Sequence, residues 1–214
     1  MVHMDSKLSQ CIIENKKEII IVAGPNGCGK STLANQIGLT NFINPDDYER
    51  RLFGSIVDTN ERQRCASLAA AKEMYNAIKE GKSFAFETTF AGGRIPTPLI
   101  MAKEQNYKVI LHYIAVENNK ICTQRVSKRV TDGGHYVPSD VIAGRYEKSL
   151  AALPKLFDFA DRAVIYDNSK HLYPFLEKNE EQIVKTGKVP KWAKPLIMLC
   201  EDHPAYCKSQ KDMV

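Results

Sequence analysis

The sequence predicts an α/β fold, a mostly parallel sheet with helices on both faces, and three observations carry that prediction. Segments rich in β-branched residues alternate with segments of helical periodicity, the pattern of a sheet buried on both sides. Residues 24–31 read Gly-Pro-Asn-Gly-Cys-Gly-Lys-Ser, the G-x-x-x-x-G-K-[ST] phosphate-binding loop. The loop stands between an apolar run and a helix-forming stretch, as the P-loop NTPase type of sheet requires. Polar clusters close three strands: the loop itself, Pro45-Asp46-Asp47, and Glu87-Thr88-Thr89. Open sheets of this kind gather ligands at the carboxyl ends of their strands, so the clusters point to one site.

Asp5 to Asn15 is expected as a short leading helix. Lys17 to Ala23 (Lys-Glu-Ile-Ile-Ile-Val-Ala) has the length and β-branching of a buried strand. Thr32 to Gly38 opens as a helix directly after the loop, and Asn41 to Asn44 predicts a short second strand. Asp58 to Gly81 predicts a long helix, with Ala66, Leu68, Ala69, Met74, Ala77 and Ile78 as apolar positions and Gly81 as its stop. Ser83 to Phe86 is the third strand. A helix over Pro98 to Asn106 precedes a strong strand at Lys108 to Val116. Glu117 to Thr131 predicts a helix carrying Arg125, Lys128 and Arg129, broken by Asp132-Gly133-Gly134-His135. Ser139 is expected to cap a helix that ends near Leu153, ahead of Pro154. Ala160 to Tyr166 is the last expected strand, closing at Asp167-Asn168-Ser169. Beyond Lys170 a helical stretch is expected near Leu176 to Lys185, and in the tail from Gly187 the only tryptophan, Trp192, is expected as a docking anchor.

Composition narrows the classes. A chain of 214 residues with 43% hydrophobic content suits one globular domain. A net charge of +5 suits an anionic substrate and is too diffuse to argue for nucleic acid. No run of about 18 apolar residues argues for a membrane partner. No secretory signal leads the chain, so a cytoplasmic protein is expected, with Met1-Val2-His3 as an expression scar. Six cysteines without a C-x-x-C pair suit reduced thiols. Cys200, His203 and Cys207 lie close in sequence, but their spacing matches no standard zinc pattern.

The phosphate loop names a ligand class. Gly24, Gly27 and Gly29 let the backbone turn its N–H groups inward on phosphates, and the helix N-terminus adds donors. Lys30 supplies a mobile charge for the β- and γ-phosphates, and the Ser31 hydroxyl a ligand for Mg²⁺. Pro25, Asn26, Cys28 and Thr32 complete the nucleotide-binding stretch. Cys28 is either a reactive thiol or a small residue that the loop tolerates. No Asn-Lys-x-Asp guanine reader and no Leu-Ser-Gly-Gly-Gln transporter signature is present. Carboxylates after the second and third strands suit a small-molecule kinase, in which one takes the acceptor's proton and arginines balance the transferring charge. The plain readings are helix caps for Asp46 and Asp47, a salt-bridge partner for Glu87, and a solvated face for Arg125, Lys128 and Arg129.

Several segments together resemble the zeta toxin family of kinases, its compact branch most of all, over about Lys17 to Ser169. They are Gly24 to Ser31, Asn44-Pro45-Asp46, Phe86-Glu87-Thr88-Thr89, Arg125-Val-Ser-Lys-Arg129-Val, Gly133-Gly134-His135-Tyr-Val-Pro138, Arg145-Tyr146 and Tyr166-Asp167-Asn168-Ser169. The resemblance implies ATP- and Mg²⁺-dependent phosphorylation of a sugar hydroxyl, the acceptor in family toxins being UDP-N-acetylglucosamine. It implies Asp46 as general base with Asp47 as rival, and Glu87 and Thr89 on the acceptor. Arg129 and Arg145 would be lid arginines on the γ-phosphate, with Arg125 a second candidate; His135, on the substrate side, reads as a structural or lid-ordering residue, with acid–base work as the alternative. Asp167-Asn168 would lie near the nucleotide or brace the sheet. Where the longer toxins carry an acceptor-holding arginine this chain has Ala91, and its next arginine is Arg94. The implied organisation is one kinase domain over residues 4–186, a lid at about 125–150, and a tail over 187–214, with a small helical antitoxin as partner. The loop also admits an ATP-binding switch with slow hydrolysis, or a kinase for another nucleotide or a nucleic-acid end. The last would want a basic groove with stacking aromatics.

Overall fold

The computed structural model describes residues 17–39, 42–52, 55–131 and 137–207. The expected helix over Asp5 to Asn15 lies outside them, as do Gly133, Gly134 and His135. Among the described residues the strands are β1 (Glu18–Ala23), β2 (Phe84–Thr88), β3 (Lys108–Ala115), β4 (Arg162–Asp167), β5 (Tyr173–Lys178), β6 (Ile183–Lys185) and β7 (Tyr206–Cys207). They form one sheet in the order β2-β1-β3-β4-β5-β6-β7. The β1–β2, β1–β3, β3–β4 and β6–β7 pairs are parallel, and β5 runs antiparallel to both β4 and β6.

Period-two alternation sends side chains to opposite faces of each strand. In β1 and β3, Ile19, Ile21, Val109, Leu111 and Tyr113 enter one core, while Val22 and Ile114 enter the other. Both faces are therefore buried, which is why β3 is apolar along almost its whole length. Helices α3 (Thr59–Lys79), α4 (Thr97–Glu104) and α7 (Lys194–Glu201) cover the first face, and α1 (Lys30–Gln36) and α5 (Asn119–Thr131) the second. The Asp58 carboxylate accepts from the Glu61 N–H at 2.8 Å and caps α3, at the residue where the sequence starts this helix.

Four expectations are corrected. The helix expected to stop near Leu153 is α6 (Ser139–Phe159), which continues through Pro154. Proline deletes one backbone bond, but Ile142, Tyr146, Ser149, Leu153, Leu156 and Phe157 keep one stripe buried across it. Ser139 does not cap this helix; the cap position is Pro138, which has no side-chain bond to offer. Of the stretch expected as a strand from Asn41 to Asn44, the described residues 42–44 contribute only Ile43, whose N–H donates to Ala85 O and whose carbonyl accepts from Glu87 N. Pro45 cannot continue the ladder, and α2 (Pro45–Leu52) begins there instead. The stretch expected as a helix near Leu176 to Lys185 is the β5–β6 hairpin. Its turn is made by Asn179, whose Oδ1 accepts from the N–H groups of Glu181 and Gln182.

One buried histidine gives the fold a pH dependence. His112, on β3, lies with Nδ1 3.1 Å from the Tyr166 hydroxyl. Burial, assisted by the Arg162 charge, pushes its pKa down to about 4. The unfolded chain takes up this proton near pH 6.5 while the native state resists it, so the stability gained is present above pH 6.5 and lost as pH falls toward 4. From pH 7 to pH 5 this one group should cost about 2 kcal/mol. Urea unfolding at both pH values checks it: the loss should be smaller by that amount in His112→Leu.

Candidate active site

The phosphate loop leaves β1 in a gap between two neighbouring strands. The Gly24 N–H donates to Thr88 O at 3.2 Å, and a Cβ at Gly24 would stand 2.0 Å from Ile114 O on the other side. Glycine is required there by space and by a φ of 143°. Helix α1 then begins at Lys30, two residues earlier than expected, so Lys30 and Ser31 stand in its first turn, where N–H groups lack intrahelical acceptors.

Three residues of the loop region converge. The β1–β2 register sets Glu87 beside Val22, and this carboxylate, only 8% exposed, meets the start of α1. The Ser31 hydroxyl donates to Glu87 Oε2 at 3.1 Å. Lys30 Nζ, 6% exposed, donates to Pro25 O at 3.0 Å and lies 3.7 Å from Glu87 Oε1. Glu87, which the resemblance puts on the acceptor, thus touches the phosphate loop itself. Asn26 is buried, and its Oδ1 has no hydrogen-bond partner. An unsatisfied buried amide marks a place where a ligand or solvent donor completes the loop.

Behind the loop, Asn168 joins β4 to it. The Asn168 N–H donates to Ala115 O, and its Nδ2 donates to Cys28 O at 2.8 Å. Arg125, a lid candidate by sequence, instead donates from Nη2 to Asn168 O at 2.8 Å. Burial pushes the Cys28 thiol up to about 11 and the neighbouring Cys122 thiol up to about 12. Burial thus favours the neutral thiol, which fits Cys28 as a small buried residue of the loop.

On the other flank, the Asn44 side chain accepts from the Asp46 N–H at 2.9 Å, so Asn44 is the residue that caps α2. Asp46 and Asp47 occupy the first turn of that helix. Successive helical residues point about 100° apart, and the two carboxylates part accordingly. Asp47 lines a cleft of about 700 Å³ with Tyr48, Arg51, Glu73 and Ser83, along the start of β2 and away from its Glu87 end. Asp46 is exposed. Thr89 O accepts from Ser149 Oγ at 2.6 Å, and that hydroxyl also bonds the Tyr113 hydroxyl. Thr32, Arg94 and Arg129 are exposed, and Arg145 is half-buried on α6. His135 lies outside the described residues. So does the side chain of Cys207; of its sequence neighbours, Cys200 is buried and His203 Nδ1 accepts from the Ala205 N–H.

A family model, AAA_33, an AAA domain, matches residues 19–156, well over half of the chain. The chain belongs to the AAA_33 family. Over 141 residues the AAA_33 chain is 30% identical to an uncharacterized protein of Haemophilus influenzae (strain ATCC 51907 / DSM 11121 / KW20 / Rd), covering 63% of this chain and 95% of that one. The structure of AvrRxo1-ORF1:-ORF2 with ATP aligns at a TM-score of 0.64 and 12% identity, over 91% of this chain and 66% of that one. A structure of the PezAT chromosomal toxin–antitoxin system of Streptococcus pneumoniae aligns at a TM-score of 0.58 and 14% identity, over 91% and 88%. At such identities the likeness is one of fold. The AAA_33 domain is thus a P-loop α/β protein with a mostly parallel sheet. Among the described residues no helix is long and apolar enough to cross a membrane.

Proposed function

We propose that the AAA_33 domain is an ATP- and Mg²⁺-dependent kinase of the zeta toxin type. Its γ-phosphoryl acceptor is then a hydroxyl of a nucleotide sugar such as UDP-N-acetylglucosamine, met in the cytoplasm. The observation that carries the reading is the convergence of Lys30 and Ser31 on the buried Glu87 carboxylate at the mouth of the phosphate loop.

The donor half follows from that geometry. Gly24 to Ser31 would hold the phosphates through backbone N–H groups. The Ser31 and Glu87 oxygens, 3.1 Å apart, fit the hard oxygen donors that Mg²⁺ prefers. When bound there, Mg²⁺ supplies neutralisation of charge on the β- and γ-phosphate oxygens. Lys30, held by Pro25 O and Glu87, has a flexible stem that can turn its ammonium onto the phosphates. Glu87 would then help hold the metal and Lys30 rather than the acceptor alone.

The acceptor half rests on the turn that begins α2. Asp46 takes the proton of the acceptor hydroxyl as its oxygen bonds the γ-phosphorus and the bond to ADP breaks. Arg129 and Arg145, on the helices that flank residues 132–136, supply the balancing charge. Thr89, Arg94 and His135 are the remaining acceptor-side residues. A small helical antitoxin is the partner this reading brings, supported by the fold shared with the PezAT structure.

The experiment is a screen of nucleotide sugars with γ-labelled ATP and Mg²⁺, read by mass spectrometry. Asp46→Asn should lower transfer by about a hundredfold or more, while Asp47→Asn, turned into the cleft, should change it less than about fivefold. Equal losses would remove Asp46 from the role. Nucleotide binding with no acceptor raising turnover would favour the switch.

A further inference from the structure

The family match ends at residue 156, yet the chain beyond it returns to the nucleotide corner. Trp192 lies in the 3₁₀ turn Lys191–Ala193, ahead of α7. Its indole N–H donates to Asp167 Oδ1 at 2.7 Å. The ring is held edge-on against Phe175, with centroids 5.5 Å apart, and tilted against Tyr113 at 6.4 Å.

Asp167 is 4% exposed and ends β4. Its Oδ1 also accepts from Ser169 Oγ at 2.8 Å, and its Oδ2 from the Ser169 N–H at 3.1 Å. Ser169 Oγ in turn accepts from the Glu117 N–H at 2.8 Å. The residue enclosed by these bonds is Asn168, whose side chain donates to Cys28 O inside the phosphate loop. Contact is close there: a Cβ at Gly29 would lie 2.6 Å from Asn168 Nδ2. The indole thus anchors one side of a three-residue segment, Arg125 holds its carbonyl from the other, and the side chain between them grips the loop.

We infer that Trp192 is a positioning residue for the phosphate loop, acting through Asp167 and Asn168. The segment that follows the family's matched region is then part of the nucleotide-binding apparatus. A buried carboxylate that loses one of its donors must find another or shift, and a shift of Asp167 carries Asn168 away from Cys28 O. The inference rests on the phosphate-loop reading of residues 24–31 and on no particular acceptor.

The test is a double-mutant cycle on Mg·ADP affinity in the full chain. Trp192→Phe keeps an aromatic ring against Phe175 and removes the N–H, and Asn168→Ala removes the grip on the loop. Each single variant should weaken Mg·ADP binding about five- to tenfold. The double variant should be no weaker than Asn168→Ala alone, because both act through one contact. Losses that multiply, or a Trp192→Phe protein that binds as the parent does, would overturn the inference. If Trp192→Phe does not fold, the parent protein's sole tryptophan reports instead. Saturating Mg·ADP must then change Trp192 emission in the parent and leave it unchanged in saturated Asn168→Ala; constant emission in the parent overturns the link. A parent protein that binds no Mg·ADP removes the phosphate-loop reading together with the inference.

Discussion

Lys30→Met should lower phosphoryl transfer from ATP by about a hundred- to a thousandfold, the scale of losing a preorganised charge from a transition state. Lys30 is the one cation inside the loop region that is both buried and within 4 Å of the Glu87 carboxylate among the described residues. The variant also breaks a buried pair. Glu87 would keep the Ser31 hydroxyl as a donor but lose the ammonium at 3.7 Å. Removing one partner of such a pair costs about 3 kcal/mol, because the charge left behind remains buried. The two effects separate in the double variant Lys30→Met/Glu87→Gln. Its amide needs no counter-charge, so most of the stability should return in urea unfolding while transfer stays low. Single-turnover assays with γ-labelled ATP measure the first effect. Transfer within about tenfold of the parent would count against Lys30 as the phosphate-side charge.

Gly24→Ala should destabilise the fold by at least about 3 kcal/mol, or leave no soluble protein. The new methyl carbon would stand 2.0 Å from Ile114 O and 3.0 Å from Cys28 Sγ, at a φ of 143° that L side chains rarely adopt. Backbone on a central strand cannot step aside as a flexible side chain can, so the loop or β3 must move. Gly92→Ala is the control: a Cβ there meets nothing within 4 Å, and its stability should stay within about 0.5 kcal/mol of the parent. Thermal or urea unfolding of the two variants side by side decides the matter. Equal stabilities would mean that the gap between β2 and β3 is looser than its geometry indicates.

Much of the fold was legible because its signals are local. The β-branched run of β1, the glycines of the loop and the Asp58 start of α3 each act within a few residues of themselves. What was misread depends on distant partners. Leu176 to Lys185 has residues that a helix would accept, but Phe175 and Leu176 are buried in the sheet core and Asn179 closes a turn. Pro154 is a stop signal by itself, yet α6 passes it because Leu153, Leu156 and Phe157 are buried on either side.

The candidate site divides the same way. By itself the sequence determined a phosphate loop on a parallel sheet, because eight consecutive residues encode that turn and its N–H donors. Only the tertiary structure decided which carboxylate meets the loop, since Glu87 reaches Ser31 through the β1–β2 register. It also decided that Asp47 faces the cleft and that Arg125 braces Asn168. Trp192 is 25 residues beyond Asp167, and its indole finds that carboxylate only after β5 and β6 have turned the chain back. Hydrogen bonds of that reach depend on strand pairing and packing, and neither is written in the residues that make them.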